Sequence, residues 1–288
     1  MTREAQRPLI LDGAVGTELT NRGADTHSPL WSGMAALSEP RLLREIHTDY
    51  VTAGAEVITA NTFRTTRYAF QRAGVDGELW IEATTAAVQI ARETAGSGVV
   101  VAGSIAPLED CFSPEMAPSY HVAVKEHTAL CRILVDAGVD VLWLETFGTL
   151  EELAAAVDAA KNIGDGAVPF AVSVTTRANG ALISGEPLVI AAQLASEKGA
   201  AAFSINCIPT SHVQMAMEIL PRATTLPLGV YANLGVPEAA QDWKGSAYVA
   251  PDRYAELSKS WPVSMVGGCC GSTPAHIEAL KRCYINEG

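Results

Sequence analysis

Apolar positions gather in short, nearly unbroken runs along the chain, and between the runs they return at helical spacing. The runs cover residues 8–11, 56–60, 99–105, 139–144, 170–175, 201–206, 227–232 and 264–266. Helix-like patterns fill 41–52, 79–94, 123–137, 151–161, 188–198, 213–220, 251–259 and 274–284. A run with no polar alternation suits a strand covered on both faces. Strands alternating with helices build a parallel sheet. Eight such units in 288 residues predict an α/β fold, a (β/α)8 TIM barrel forming one domain over residues 1–288. An open doubly wound sheet is the competing architecture. Gly13-Ala14-Val15-Gly16 follows the first run, but the third glycine of a dinucleotide fingerprint is missing.

A barrel gathers chemistry at the C-terminal ends of its strands. Here those ends carry Asp12-Gly13, Asn61-Thr62-Phe63, Glu145-Thr146, Asn206-Cys207, Asn233 and Gly268-Cys269-Cys270-Gly271. The long loops 23–39, 107–120 and 235–249 follow strands one, three and seven, so all three overhang the same face.

Cys207, Cys269 and Cys270 are candidate metal ligands. Adjacent cysteines reach one metal only if the backbone bends sharply, and Gly267, Gly268 and Gly271 are expected to allow that bend. Strands six and eight flank strand seven, so Cys207 lies about 10 Å across, a gap inward-leaning side chains can close. Three thiolates leave a fourth position open, which marks a catalytic zinc, and a substrate sulfur is its natural occupant. Thiol alkylation is the chemistry this suggests. The competing reading of Cys207 is a small buried apolar residue. Cys111 has no such context, and Cys131 and Cys283 read as helix packing residues. Asp12 and Glu145 end apolar strands with no adjacent Lys or Arg. The ammonium of a bound amino acid would satisfy both. An Asx-turn for Asp12 and a helix cap for Glu145 are the alternatives.

Composition narrows the classes. Apolar residues are 48% and charged residues 18%, an ordinary globular balance. The formal charge is −12 with no Lys/Arg cluster, which argues against nucleic acid and suits a neutral or cationic small ligand. Met1-Thr2-Arg3-Glu4 opens without an apolar signal region. No apolar run nears the roughly 20 residues a bilayer requires, so no membrane partner is expected. Six irregularly spaced cysteines argue against a disulfide framework and for a reducing, cytoplasmic setting. The histidines show no ligand-like pairing. Asp25-Thr26-His27 opens a cobalamin-type D-x-H-x-x-G motif that fails at Leu30.

Asp12-Gly13-Ala14-Val15-Gly16-Thr17-Glu18-Leu19, Asn61-Thr62-Phe63, Glu145-Thr146, Asn206-Cys207 and Gly267-Gly268-Cys269-Cys270-Gly271 together resemble the homocysteine S-methyltransferase family, from strand one to strand eight. The resemblance implies a zinc-dependent barrel that methylates homocysteine to methionine. It implies Cys207, Cys269 and Cys270 as zinc thiolates, and Asp12, the Gly13 backbone and Glu145 as the groups holding homocysteine. Asn233 resembles, more weakly, an asparagine able to take the open metal position. Beyond the zinc-activated substrate thiolate it implies no catalytic side chain. The chain is expected to carry neither folate and cobalamin domains nor the C-terminal extension of betaine-dependent relatives. A sulfonium donor, S-methylmethionine or S-adenosylmethionine, is therefore expected. Betaine or another onium donor, a selenol acceptor, a zinc hydrolase and a structural or thiol-sensing zinc barrel are the alternatives. Phe63, Phe147 and Tyr231 offer aromatic faces, for a cationic donor or simply for packing.

Overall fold

In a computed structural model that describes residues 7–285 except 76, 164, 165, 167 and 236–247, the eight apolar runs form eight parallel strands. These are β1 (Leu9–Ile10), β2 (Val57–Ala60), β3 (Val100–Ile105), β4 (Val141–Phe147), β5 (Phe170–Val174), β6 (Ala202–Pro209), β7 (Leu228–Asn233) and β8 (Met265–Gly268). Their order, β1-β8-β7-β6-β5-β4-β3-β2, is that of a barrel opened at the β1–β2 seam. The seam is closed by one parallel bridge, Leu11 to Val57. Backbone bonds from Glu56 N to Ile10 O (2.7 Å) and Asp12 N to Val57 O (3.0 Å) reinforce it. The Glu56 carboxylate accepts from Ile10 N at 2.9 Å. The fold is thus the expected single-domain (β/α)8 barrel.

β4 and β6 each run three residues further than expected. β4 continues to Phe147 and β6 to Pro209, each through a register shift, between Leu144 and Phe147 and between Asn206 and Pro209. Glu145-Thr146 and Cys207-Ile208 therefore sit in β-bulges inside strands rather than beyond their ends. A bulge re-aims a side chain without ending the ladder.

All eight expected helices form: α3 (Pro40–Ala53), α5 (Leu79–Ala95), α6 (Tyr120–Asp136), α7 (Leu150–Lys161), α8 (Leu188–Lys198), α9 (Thr210–Ala223), α10 (Pro251–Ser258) and α11 (Pro274–Ile285). Three short helices are additional: α1 (Val15–Asn21), α2 (Ala35–Ser38) and α4 (Arg67–Arg72). Thr66 caps α4, its hydroxyl accepting from Ala69 N at 3.0 Å. None of the described helices is long and apolar enough to cross a membrane.

Apolar packing occupies two layers. Most of it lies between strands and helices, where fully buried Leu43, Ile58, Leu142 and Phe203 fill the shell, each contributing about 1.5–3 kcal/mol. A smaller layer plugs the barrel interior, with Trp143 and Tyr231 set against Ala102, Ala171 and Ala202. Trp143 Nε1 donates to the Tyr231 hydroxyl at 2.8 Å. Large rings facing alanines fill the tapered lumen and give the site above them a dry floor.

Candidate active site and metal centre

A cavity of about 680 Å3 opens at the C-terminal ends of the strands, lined by Asp12, Glu145, Cys207, Tyr231, Cys269 and Cys270 among others. The loops after β1 and β3 reach it through Trp31 and Phe112. Of the expected third loop, 235–249, residues 236–247 lie outside the described residues.

The three candidate thiols converge. Cys207, Cys269 and Cys270 place their sulfurs within 4.8 Å of one another, and Cys207 Sγ to Cys270 Sγ is 3.9 Å. Four ligands around zinc at about 2.3 Å put neighbouring sulfurs roughly 3.8 Å apart, so the donor set fits a tetrahedral thiolate site with one position left over. Cys207 reaches the cluster in a left-handed backbone conformation, φ 55°, rare for a residue with a side chain. Hydrogen bonds from Cys207 and Cys270 hold the Cys269 thiol well below the usual thiol range.

The glycines act differently from the expectation. Only Gly271 takes a positive φ, 81°. Gly267 and Gly268 are needed for space. A Cβ on Gly267 would lie 2.6 Å from Leu11 Cβ, and one on Gly268 would overlap the Ser272 side chain. Ser272 Oγ in turn accepts from Ala14 N at 2.9 Å. Gly13 is similarly crowded by Ser272 and Tyr50. The turns after β1 and β8 therefore touch backbone to backbone, which sets the cysteine pair beside Asp12.

Asp12 and Glu145 are both buried. Asp12 accepts from Thr59 N at 2.7 Å and Thr59 Oγ1 at 3.1 Å, so its carboxylate stitches β1 to β2 where the backbone ladder is thin. Glu145 accepts from the Ser104 hydroxyl. Neither carboxylate has a Lys, Arg or His partner among the described residues. Burial pushes Asp12 up to about 7 and Glu145 up to about 8, against the hydrogen bonds that favour their charged forms.

Asn206 is a residue whose importance the sequence concealed. Its Oδ1 accepts from Thr146 N at 3.0 Å and Ser173 Oγ at 2.8 Å, and its Nδ2 donates to Thr146 Oγ1 at 2.7 Å. Thr146 is also left-handed, φ 65°. One amide thus spans β4, β5 and β6 and holds the bulge that aims Glu145, directly before the cysteine of its own strand's bulge.

The remaining expected residues divide. Asn233 is buried at the end of β7, outside the cavity lining, and its Oδ1 has no hydrogen-bond partner among the described residues. Such an orphaned oxygen suits a group that meets a ligand or metal. Phe63 and Tyr231 line the cavity. Phe147 does not: it is fully buried against His127, ring centroids 5.7 Å apart. Cys131 is buried in α6 and Cys283 is half-buried on α11, as helix packing residues. Cys111, unplaced from sequence, lines the cavity, and burial pushes its thiol up to about 12. Trp31 and Arg64 were also missed. Trp31 is left-handed, φ 49°, and meets Phe63 edge-on at 6.0 Å. Asn61 clamps that loop, donating to Ser32 O at 2.8 Å and accepting from Ser32 Oγ at 3.0 Å.

Known proteins similar in sequence and fold identify the family. The family model for homocysteine S-methyltransferase matches residues 9–284. The Escherichia coli homocysteine S-methyltransferase is 31% identical over 96% of each chain. A selenocysteine methyltransferase of Astragalus bisulcatus is 28% identical over 97% of this chain and 93% of its own. The crystal structure of the Escherichia coli homocysteine methyltransferase MmuM in its metallated form superposes with a TM-score of 0.83 at 29% identity, covering 96% of both chains. A match that runs from β1 into α11 places the chain in the homocysteine S-methyltransferase family.

Proposed function

We propose that this homocysteine S-methyltransferase takes its methyl group from a sulfonium donor, S-methylmethionine or S-adenosylmethionine, and depends on zinc held by Cys207, Cys269 and Cys270. The observation that carries the reading is one cavity in which three convergent thiols lie beside two buried carboxyl groups that have no cationic partner among the described residues. Zinc bound there supplies a Lewis acid that lowers the pKa of an acceptor thiol, making it a thiolate near pH 7.

Asp12 and Glu145 bind the ammonium of homocysteine. Its positive charge returns both carboxyls to the ionised state that burial opposes. The Gly13 backbone lies beside them for the substrate's other end. Tyr231 and Trp143 exclude water from below, so the acceptor sulfur meets the donor in a dry pocket. The acceptor sulfur forms a bond to the methyl carbon as the donor carbon–sulfur bond breaks, its electron pair returning to the donor sulfur. A neutral thioether leaves on each side. No side chain needs to move a proton in that step, and catalysis is mostly positioning. Asn233, with its unpartnered oxygen, would be the group nearest to hand for the fourth metal position when no thiol is bound. The whole barrel, 1–288, serves as the homocysteine-binding domain, in the cytoplasm, with small molecules as its partners.

The test offers homocysteine with S-methylmethionine, S-adenosylmethionine, betaine or methyltetrahydrofolate at equal concentration and reads methionine. Chelated enzyme, and chelated enzyme with zinc restored, are the controls. We expect turnover with a sulfonium only, loss on chelation, and about one zinc per chain, most of it lost in Cys269→Ala. Turnover on methyltetrahydrofolate alone sinks the donor assignment, and full metal retention in all three cysteine variants sinks the zinc. The likeness to the Astragalus enzyme makes selenocysteine the second acceptor to include.

A further inference from the structure

Among the described residues two guanidinium groups line the cavity, and one of them is neutralised. Arg72 pairs with Glu109 at 3.2 Å and lies over Tyr68. Arg64, just past β2, has no carboxylate within ion-pair distance among the described residues. It is nevertheless fixed in place. Its Nη1 donates to the carbonyls of Pro107 (3.1 Å) and Glu109 (3.0 Å), and its guanidinium carbon stands 5.2 Å from the centre of the Phe63 ring. Two carbonyl bonds and an aromatic face pre-organise the fork while leaving its other N–H groups unused. The site is therefore electrically polar, with thiols and two carboxyls at its floor and an unpaired cation among its lining residues.

We propose that Arg64 is the anchor for the carboxylate of the methyl donor, which is accordingly a sulfonium amino acid. This rests on the sulfonium reading above. The acceptor sulfur belongs at the thiol cluster and the acceptor ammonium at Asp12 and Glu145. The donor must then approach from the open side with its sulfonium toward the acceptor sulfur. Its far end meets the surroundings of Arg64, where a carboxylate finds a fork matched to its two oxygens. A carboxylate at the floor would face Asp12 and Glu145 instead, so the charge layout also fixes the donor's direction.

The experiment measures Arg64→Met and Arg64→Lys at saturating homocysteine with S-methylmethionine, S-adenosylmethionine and trimethylsulfonium, which has no carboxylate. If trimethylsulfonium is not turned over, its inhibition constant against S-methylmethionine is the readout. In Arg64→Met, kcat/KM for the carboxylate donors should fall about tenfold or more, mainly through KM. Trimethylsulfonium and the KM for homocysteine should stay within about twofold, which also shows the site intact. Arg64→Lys should recover part of the loss, since it keeps charge without the fork. A loss confined to one sulfonium amino acid names that one as the donor. Equal loss with trimethylsulfonium, a loss carried by homocysteine KM, or no loss would overturn the assignment of Arg64 alone. Wild-type enzyme that uses no sulfonium takes down the donor reading and this inference with it.

Discussion

At the scale of single residues, the site is built from groups held in states they would not choose in water. Glu145 is buried without a cationic partner among the described residues, which makes it receptive to an ammonium. Glu145→Gln keeps the size and removes the charge. It should cost about 2–5 kcal/mol in homocysteine binding while leaving metal content near wild type, read by calorimetric titration and metal analysis. Normal homocysteine affinity in that variant would make Glu145 a structural group only. The carboxylates and cysteines were legible in the sequence because each interrupts an apolar run with chemistry a core does not need. Asn206 was visible as a strand-end residue, but its role was not, because that role consists of reaching Thr146 and Ser173 on two other strands. Arg64 and Trp31 were invisible for a related reason. They stand in loops whose side-chain directions depend on Pro107, Glu109, Ser32 and Asn61, and no local periodicity encodes such directions.

At the scale of elements, the eight strands were readable because a strand covered on both faces leaves an unbroken apolar run. The three missed helices span only four to seven residues, too few for a 3.6-residue period to emerge. Bulges in β4 and β6 were unreadable, since an extra residue in a ladder shows only against its partner strand. The turn after β8 carries its own prediction. A Cβ at position 268 would sit 2.6 Å from Ser272 Oγ, and Ser272 holds the backbone of the β1 turn. Gly268→Ala should therefore push the two turns apart, costing about 1–3 kcal/mol and weakening metal binding through Cys269 and Cys270. Thermal melting and metal content check it. A variant with wild-type values for both would show that the contact yields without consequence.

At the scale of the whole molecule, the buried carboxyls impose a pH dependence on folding. Asp12 at about 7 and Glu145 at about 8 stand above their ordinary 3.8 and 4.5. Between about pH 4 and pH 8 the folded metal-free barrel thus binds more protons than the unfolded chain. The associated stability is present at the acid end of that window and is lost as pH rises through about 7 to 8. The urea unfolding free energy of the chelated, reduced protein should fall between about pH 4 and pH 8, by at most about 4–5 kcal/mol per group. Glu145→Gln should flatten the fall, and identical pH profiles for variant and wild type would refute it. On the proposed binding mode, bound homocysteine should reverse the effect, because its ammonium would favour the ionised carboxylates.

β8 is the last of the eight strands in chain order and pairs with β1 and β7, and Cys269 and Cys270 follow it at once. During synthesis, a chain that has emerged only through β7 carries just one of the three clustered thiols, Cys207. The strand that completes the barrel's hydrogen bonding also delivers the other two thiols. Assembly of the thiol cluster is therefore coincident with barrel completion, because an intermediate lacking β8 holds one of its three thiols.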